Sequence, residues 1–324
     1  MRLYAFSARL VKSSSLMHPP SSEFEQIISK PRLDSYRAYW KVDPDGAVGL
    51  YIWNGEVCAE VSKLLAYFEI ALRNNIHREM SLATPLPTPA GVMGTSASSA
   101  WWNASSIGAQ LKPGTKKKIT DVINASSVRL GPDEIVSRLS FGFWPNVLAW
   151  IAKSRTPAMY KILPGHSLSQ PGALPNWSDA AARNSALAEI FEMKEVRNRI
   201  AHLEPLWKFP KVMDAVTQKV IVAPASTNET STMDRFARLL RIYDDAVHAL
   251  SPALSSYMKA ASWRQRLDFL LSRKGVARYQ GGLHVPNGSP LGTRALHQEF
   301  ATVILNNRPV KIHDVGGEGL FIPL

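Results

Sequence analysis

The sequence predicts an all-α fold with long loops and a less regular C-terminal extension. Apolar side chains recur with a helical period of ~3.6 residues from Val57 to Met80, and again from about Met233 to Leu250. Beyond Gly275 the chain is instead punctuated by glycine and proline, with short β-branched runs at 302–305 and 310–312. We therefore expect a core of about five to seven helices, followed by an extension of unknown role.

Length and composition restrict the class of protein. A chain of 324 residues with 45% hydrophobic content can bury a globular core, and its single cysteine excludes an intramolecular disulfide and a multi-cysteine metal site. No apolar run approaches the ~20 residues of a membrane span, and the first residues lack the apolar block of a secretory signal. We expect a cytoplasmic protein with no membrane partner. Its predicted parts are a disordered lead-in (1–22), a helical domain (23–254) and the extension (255–324).

The charge distribution favours a nucleic-acid partner. The net charge is +12, and residues 81–180 and 255–324 each contain nine Lys or Arg against four Asp or Glu. A positive surface beside a phosphate-handling site is what RNA binding requires. A basic protein with no nucleic-acid role is the alternative.

The first elements precede a long core helix. A short helix is expected over Phe24–Leu33, ended near Pro31, followed by an aromatic-rich segment with a turn at Asp43–Gly46. Asn54 is predicted to cap the long helix. On the polar side of that helix a stripe is formed at four-residue spacing by Glu69, Arg73 and His77. Its simplest interpretation is a solvated face with one ion pair.

A loop is predicted over residues 84–118 because of its prolines and small residues. Trp101 and Trp102 could stack on bases there, or lie buried. The segment ends with a lysine triplet that could contact phosphates and consists of Lys116, Lys117 and Lys118.

Further helices are predicted along the rest of the chain. One begins at Pro132, and after a break at Phe141–Trp144 another covers residues 146–153. Residues 156–178 are expected to be a loop, and Ser178 to cap a helix that runs to Leu203. A last helix is predicted over Ser262–Arg273.

The end of the helix before Leu203 carries the motif Arg197-Asn-Arg-Ile-Ala-His202, closed by Pro205. Looser Arg-to-His spacings occur at Arg241–His248, Arg278–His284 and Arg308–His313. Glycines or a proline argue against helices at the last two, and aspartates between Arg241 and His248 would repel a phosphate.

This motif resembles that of the HEPN (higher eukaryotes and prokaryotes nucleotide-binding) ribonucleases. The runs at 65–74 and at Phe141–Trp144 also resemble the Abi-like branch, the phage abortive-infection proteins, and the resemblance covers roughly residues 25–250. It implies a HEPN-like helical bundle acting as a metal-independent endoribonuclease, without a cofactor. A toxin-type protein of phage defence would also have an antitoxin partner, either protein or RNA.

The resemblance assigns roles to individual residues. Arg197, His202 and Asn198 would be catalytic, because an arginine can hold phosphate oxygens and a histidine can move a proton at neutral pH. A supporting polar cluster would be formed by Glu69, Arg73 and Glu195. RNA would be bound by the lysine triplet and by Arg199, an expected solvent- or RNA-facing cation.

Helix geometry complicates this assignment. Positions five apart lie roughly 140° apart around a helix, so Arg197 and His202 do not share a face, whereas Asn198 and His202 do. Either the helix unwinds before Pro205, or Arg197 reaches around its end, or the site combines groups from two chains. The family favours the last, with motif helices meeting across the two-fold axis of a homodimer. The alternative functions are a non-catalytic RNA-binding or antitoxin-like module, and a helical partner of a nucleotidyltransferase.

Overall fold

The computed structural model describes residues 21–84, 98–214, 219–280, 291–292, 310–314 and 317–321. Over these residues the protein is mostly helical, which confirms the predicted all-α class. The α-helices are α1 (Ser21–Phe24), α2 (Lys30–Trp40), α3 (Pro44–Ala83), α4 (Ser105–Gly108), α5 (Pro113–Asn124), α6 (Pro132–Arg138), α7 (Trp144–Ser154), α8 (Thr156–Ile162), α9 (Ala180–Ala201), α10 (Glu229–Leu250), α11 (Pro252–Ala260), α12 (Ser262–Leu270) and α13 (Arg273–Gln280). A π-helical segment joins α1 to α2, and 3-10 turns occur at Trp101–Asn103, Phe141–Phe143 and Ser167–Ser169.

Short strands form two small sheets. They are β1 (Val212–Met213), β2 (Ile221–Ala223), β3 (Leu291–Gly292), β4 (Val310–Asp314) and β5 (Gly317–Phe321). β1 pairs with β2 in antiparallel register, and β4 lies between a parallel β3 and an antiparallel β5. The predicted β-branched run at 310–312 therefore belongs to a strand, while 302–305 and residues 1–20 of the lead-in lie outside the described residues.

The described residues divide into two compact units. The first unit contains the described residues of Met1–Val57, Thr227–Glu229 and Gln265–Leu324. The second unit contains those of Cys58–Ser226 and Thr230–Arg264. Residues 255–264 thus fall with the second unit, while the chain from Gln265 onward falls with the N-terminal helices. The functional division at residue 254 remains a prediction.

The first unit is organised around aromatic side chains and a close helix contact. Trp53 donates its indole N–H to Leu270 O at 2.8 Å, and Trp40 packs edge-on against Trp53. A Cβ atom on Gly49 would lie 1.9 Å from Tyr279 O, so a glycine is required where α3 and α13 approach.

The second unit contains the motif helix. α7 packs against α8 and α9, and Phe68 of α3 meets Phe141 edge-on with 6.1 Å between ring centres. The buried residues of α7 and of the 3-10 turn before it include Phe143, Trp144 and Ile151. The predicted packing role of the segment Phe141–Trp144 is therefore confirmed.

The long core helix is confirmed, but its predicted start is wrong. α3 begins at Pro44 and already includes Asn54, which is buried. Asp43 Oδ1 accepts a hydrogen bond from Gly46 N at 2.7 Å, so the segment Asp43–Gly46 caps a helix instead of forming a turn. The predicted end near Pro31 of the helix Phe24–Leu33 is also wrong. Pro31 lies in the first turn of α2, where proline is tolerated.

Two predicted loops contain helices. Within the described part of 84–118 the chain forms α4 and the start of α5, and 156–178 contains α8. In α5 and α8 a proline stands in the first turn, where its missing N–H costs no hydrogen bond, so the prolines begin these helices instead of breaking them. α11 was not predicted, and the stretch Ser262–Arg273 forms α12 and then the start of α13.

Candidate functional site

The motif helix α9 begins at a side-chain cap. Asp179 accepts a hydrogen bond from Ala182 N at 2.8 Å, so the predicted cap at Ser178 is one residue too early. The buried side chains of α9 follow at three-residue spacing and are Leu187, Ile190, Met193 and Val196. This spacing keeps them near one face, which leaves the other faces for polar groups.

The end of α9 is a Schellman motif. Leu203 N donates to Ile200 O at 3.0 Å, and Glu204 N donates to Arg199 O at 2.9 Å. Leu203, at the reversal, has a φ of 56°, in the left-handed region where glycine is usual. His202 N still donates to Asn198 O at 3.0 Å. The helix therefore stays hydrogen-bonded as far as His202. Of the three ways in which Arg197 and His202 could act together, unwinding of the helix is not what the backbone shows.

The three predicted catalytic side chains lie at this end. His202 is exposed, and Arg197 and Asn198 are half-buried. Among the described residues, none of these side chains has a hydrogen-bond or ion-pair partner. Within the described part of the chain, no hydrogen bond or ion pair of these side chains holds the fold, which leaves their polar atoms available to a ligand.

Arg197 shares an electrostatic cluster with the polar stripe of α3. Burial raises the pKa of the Glu69 carboxyl above its ordinary value, and the positive charges of Arg197 and Arg73 act in the opposite direction. Glu69 therefore interacts electrostatically with both Arg197 and Arg73, while the supporting role of Glu69 and Arg73 stays a prediction. We call these three residues the α3–α9 cluster.

Two other α9 residues lie outside this cluster. Glu195 is 65% exposed and its Oε1 lies 3.3 Å from Lys194 Nζ, an ordinary surface pair. The expectation for Arg199 is wrong, because its side chain is only 15% exposed. Its guanidinium donates to Pro205 O, and its Nε lies 3.5 Å from Glu204 Oε2. Arg199 therefore closes the end of α9 and is not a solvent-facing cation.

His77, the third member of the predicted stripe, is buried. Trp101 Nε1 donates to His77 Nδ1 at 3.1 Å, while His77 Nε2 lies 3.0 Å from Ser98 Oγ and 3.3 Å from Asp133 Oδ1. Because Nδ1 accepts, the neutral ring carries its proton on Nε2, and burial lowers the pKa of His77. The stripe is therefore not a solvated face at this position. Trp101 and Trp102 are buried as well, so neither is a base-stacking platform.

The lysine triplet lies on helix α5, not on a loop. Lys116 and Lys117 are exposed and Lys118 is half-buried. Lys117 Nζ lies 2.8 Å from both carboxylate oxygens of Asp121, one turn further along the helix. The three lysines therefore differ in what they can offer an anion, a distinction that their sequence did not reveal.

A cavity beside α9 was not predicted. It has a volume of about 660 Å³ and mostly apolar walls that include Phe191, Val196 and Phe209. Glu192 and Arg235 also line it, and in the second unit they join α9 to α10. The pairing depends on how two distant helices pack, so the local sequence carried no signal for it.

The rival Arg-to-His matches are less suited to a site. Arg241 and His248 lie on α10, as expected, but Arg241 is paired with Glu189 and Asp245. Arg278 lies on α13, contrary to the expectation, while His284 and Arg308 fall outside the described residues. Within the described ranges no group of His, Cys, Asp or Glu side chains is arranged to hold a metal ion.

Comparisons with known proteins give no family assignment. No protein-family model matches the chain, and neither curated proteins nor solved structures show significant similarity to it. Among the described helices, none combines the length with the apolar character needed to cross a bilayer. The interpretation of the motif therefore depends on its own geometry and chemistry.

Proposed function

We propose that the protein is a metal-independent endoribonuclease with a HEPN-like helical bundle, and that Arg197, Asn198 and His202 form its active site. The observation that carries the proposal is the contrast at the end of α9. Arg199 is used to close the helix, whereas the three motif side chains have no partner among the described residues. Side chains kept accessible beside a charged cluster are typical of a functional site.

The chemistry needs only the groups of this motif. The 2′-oxygen of RNA attacks the adjacent phosphorus while its proton passes to a base, and the bond from phosphorus to the 5′-oxygen breaks as that oxygen receives a proton. A histidine can take or give these protons, and an arginine can bind the phosphate oxygens through two parallel donors. In our proposal His202 moves the protons, Arg197 binds the phosphate, and Asn198 orients His202. The products are a 2′,3′-cyclic phosphate and a 5′-hydroxyl.

The α3–α9 cluster supports the position of Arg197. The Glu69 carboxylate attracts the guanidinium groups of both Arg197 and Arg73, which draws Arg197 toward α3. In this proposal Glu69 and Arg73 are positioning residues, and Glu195 contributes only a surface charge.

We propose that the active site is shared between two copies of the chain. The helix stays regular as far as Ala201, so Arg197 and His202 of one chain remain on different faces. Two copies related by a two-fold axis can place Arg197 of one beside His202 of the other, since such an interface is self-complementary.

The cellular role that we propose is defence against phage by abortive infection. Cleavage of cytoplasmic RNA would arrest the infected cell, and an antitoxin, protein or RNA, would hold the enzyme inactive beforehand. Expression of the wild-type chain alone should then slow growth.

The direct test is incubation of purified protein with total RNA in the presence of EDTA. Wild type should cleave, and Arg197→Ala and His202→Ala should each reduce the rate by about 10²-fold or more. Matched controls are Arg241→Ala and His248→Ala, the other Arg-to-His pair on a regular helix, which should cleave as wild type does. Equal rates for wild type and both motif variants would refute the proposed site, and activity restored only by Mg²⁺ would indicate a metal nuclease.

Mixing the two inactive motif variants tests the shared site. A heterodimer of Arg197→Ala and His202→Ala chains contains one composite site with both groups intact, whereas each homodimer contains none. Partial recovery of cleavage is expected on mixing. Absence of recovery despite demonstrated subunit exchange would place the whole site within one chain.

A further inference from the structure

Two lysines from different helices converge on the 3-10 turn at Phe141–Phe143. A Cβ atom placed on Gly142 would lie 3.4 Å from Lys118 Nζ of α5 and 3.6 Å from Lys194 Cε of α9. The Lys118 ammonium and the last methylene of the Lys194 side chain therefore reach the same small space above the glycine, with the Lys194 ammonium one bond further away. All three residues belong to the second unit.

Among the residues that the structure describes, no buried counter-ion lies beside these two lysines. Burial lowers the pKa of Lys118, and the neighbouring charge of Lys194 lowers it further. In the part of the chain that the structure describes, Lys118 forms no ion pair, and Lys194 pairs only with the exposed Glu195. Two partly desolvated cations that repel each other are unfavourable alone, and an anion between them would offset this.

We propose that Lys118 and Lys194, together above Gly142, bind a phosphate of the RNA backbone next to the phosphate held by Arg197. The assignment of RNA rests on the proposed function. The approach of the two lysine side chains to one point does not depend on that assignment.

The register along α9 connects this phosphate site to the motif. Lys194 precedes Arg197 by three residues and Asn198 by four, so all three lie near one stripe of the helix, about 4.5 to 6 Å apart along its axis. A single strand lying along this stripe would present successive phosphates to Lys194 and Arg197. Positively charged grooves that follow the backbone in this way are general in proteins that bind single strands.

Gly142 has a clear part in this arrangement. Its φ lies outside the left-handed region, so the backbone does not require a glycine here. A side chain at this position would instead occupy the space between the two lysine ends. The glycine of the segment Phe141–Trp144 therefore keeps the site open to a ligand.

The test measures binding of a short single-stranded 2′-O-methyl RNA, which has no free 2′-hydroxyl and cannot be cleaved by the proposed route. The logarithm of affinity is followed against the logarithm of salt concentration. Lys118→Ala and Lys194→Ala should each reduce the slope by up to about 0.7, the value for the one phosphate contact that the two lysines share. Lys117→Ala is the matched control, since Asp121 already neutralises Lys117, and it should change the slope by much less.

A second pair of variants tests the space above Gly142 by charge. Gly142→Asp places a carboxylate between the lysines and should remove at least as much of the slope as a single lysine variant, up to about 0.7. Gly142→Asn has nearly the same shape without the charge and should keep more of the slope. Equal slopes for the two would contradict the electrostatic argument.

The outcomes separate this site from the ribonuclease proposal. If wild type cleaves RNA but Lys118→Ala and Lys194→Ala bind with the wild-type slope, the phosphate site is wrong and the active site stands. If wild type does not cleave but both variants lose slope, the phosphate site stands and the proposed catalysis is wrong.

Discussion

Glu192 should be the most important charged residue for the stability of the motif helix. Its Oε2 lies 2.8 Å from Arg238 Nη2 and its Oε1 lies 3.5 Å from Arg235 Nη2, which connects α9 to α10. The three side chains are only 15%, 20% and 5% exposed, in the order Glu192, Arg238, Arg235. Glu192→Ala would therefore leave two arginines largely buried without their carboxylate.

The expected loss of stability follows from this burial. Removing one partner of a buried ion pair costs ~3–5 kcal/mol, and the residual exposure of Glu192 and Arg238 places this case at about 3 kcal/mol. Three residues along the same helix, Glu195 makes an exposed pair at 3.3 Å with Lys194. A surface pair of this kind contributes ~0–1 kcal/mol, so Glu195→Ala should cost little.

The assay compares Glu192→Ala with Glu195→Ala by urea unfolding, and by hydrogen exchange of the amides in α9 and α10. Exchange reports the opening free energy of the second unit by itself, which matters because the chain divides into two units. Glu192→Gln, which keeps the shape and can still accept a hydrogen bond, should lie between the two. Losses of equal size for Glu192→Ala and Glu195→Ala would refute the claim that burial decides the strength of these pairs.

Two further predictions concern Leu203, at the end of α9, and Glu69, in the α3–α9 cluster. Leu203→Gly should stabilise the protein by up to about 1 kcal/mol, because the residue is 75% exposed and its left-handed backbone is strained for leucine but not for glycine. The control is Leu82→Gly, at an exposed leucine in the last turn of α3, which should destabilise the protein. Thermal melts in which both variants shift in the same direction would contradict this prediction. The pKa of Glu69 is raised in the folded protein, so its contribution to the free energy of unfolding is complete below the unfolded pKa of about 4.5 and is lost as pH rises through the folded pKa. The free energy of unfolding of Glu69→Gln should therefore increase relative to that of wild type as pH rises above about 4.5. Urea unfolding at a series of pH values measures this difference. A constant difference between the two proteins over that range would contradict the sign of the shift.

The helical class could be predicted because apolar periodicity is a local property. The stretch from Val57 to Met80 packs one continuous face, and α10 follows the same rule over Glu229–Leu250. The start of α3 could not be placed, since an Asp-Pro-Asp-Gly sequence fits both a turn and a capped helix start. Only the approach of Tyr279 to Gly49 shows why glycine belongs inside that helix.

The candidate site was predictable where neighbours along one helix decide the geometry. The end of α9, with His202 and Pro205, follows from the sequence. The environment of His77 does not, since Trp101 and Asp133 come close to it only on folding. Arg199 depends on the chain reversal at Leu203, which brings Glu204 and Pro205 back to its side chain. The different environments of Lys117 and Lys118 likewise arise from the turn that packs against one of them.

Cys58 gives the protein an internal reporter of its own opening. Burial raises the pKa of this thiol, the only one in the chain, to about 11. At neutral pH only about one molecule in 10⁴ would therefore carry the reactive thiolate. Arg199, the residue that closes α9, lies within electrostatic range of Cys58, and its positive charge lowers the pKa of the thiol against the larger effect of burial. Alkylation of the native protein should then be slow while the thiol stays half-buried and faster when this region opens, so that a simple thiol reagent follows the local dynamics near the end of the motif helix without any added label.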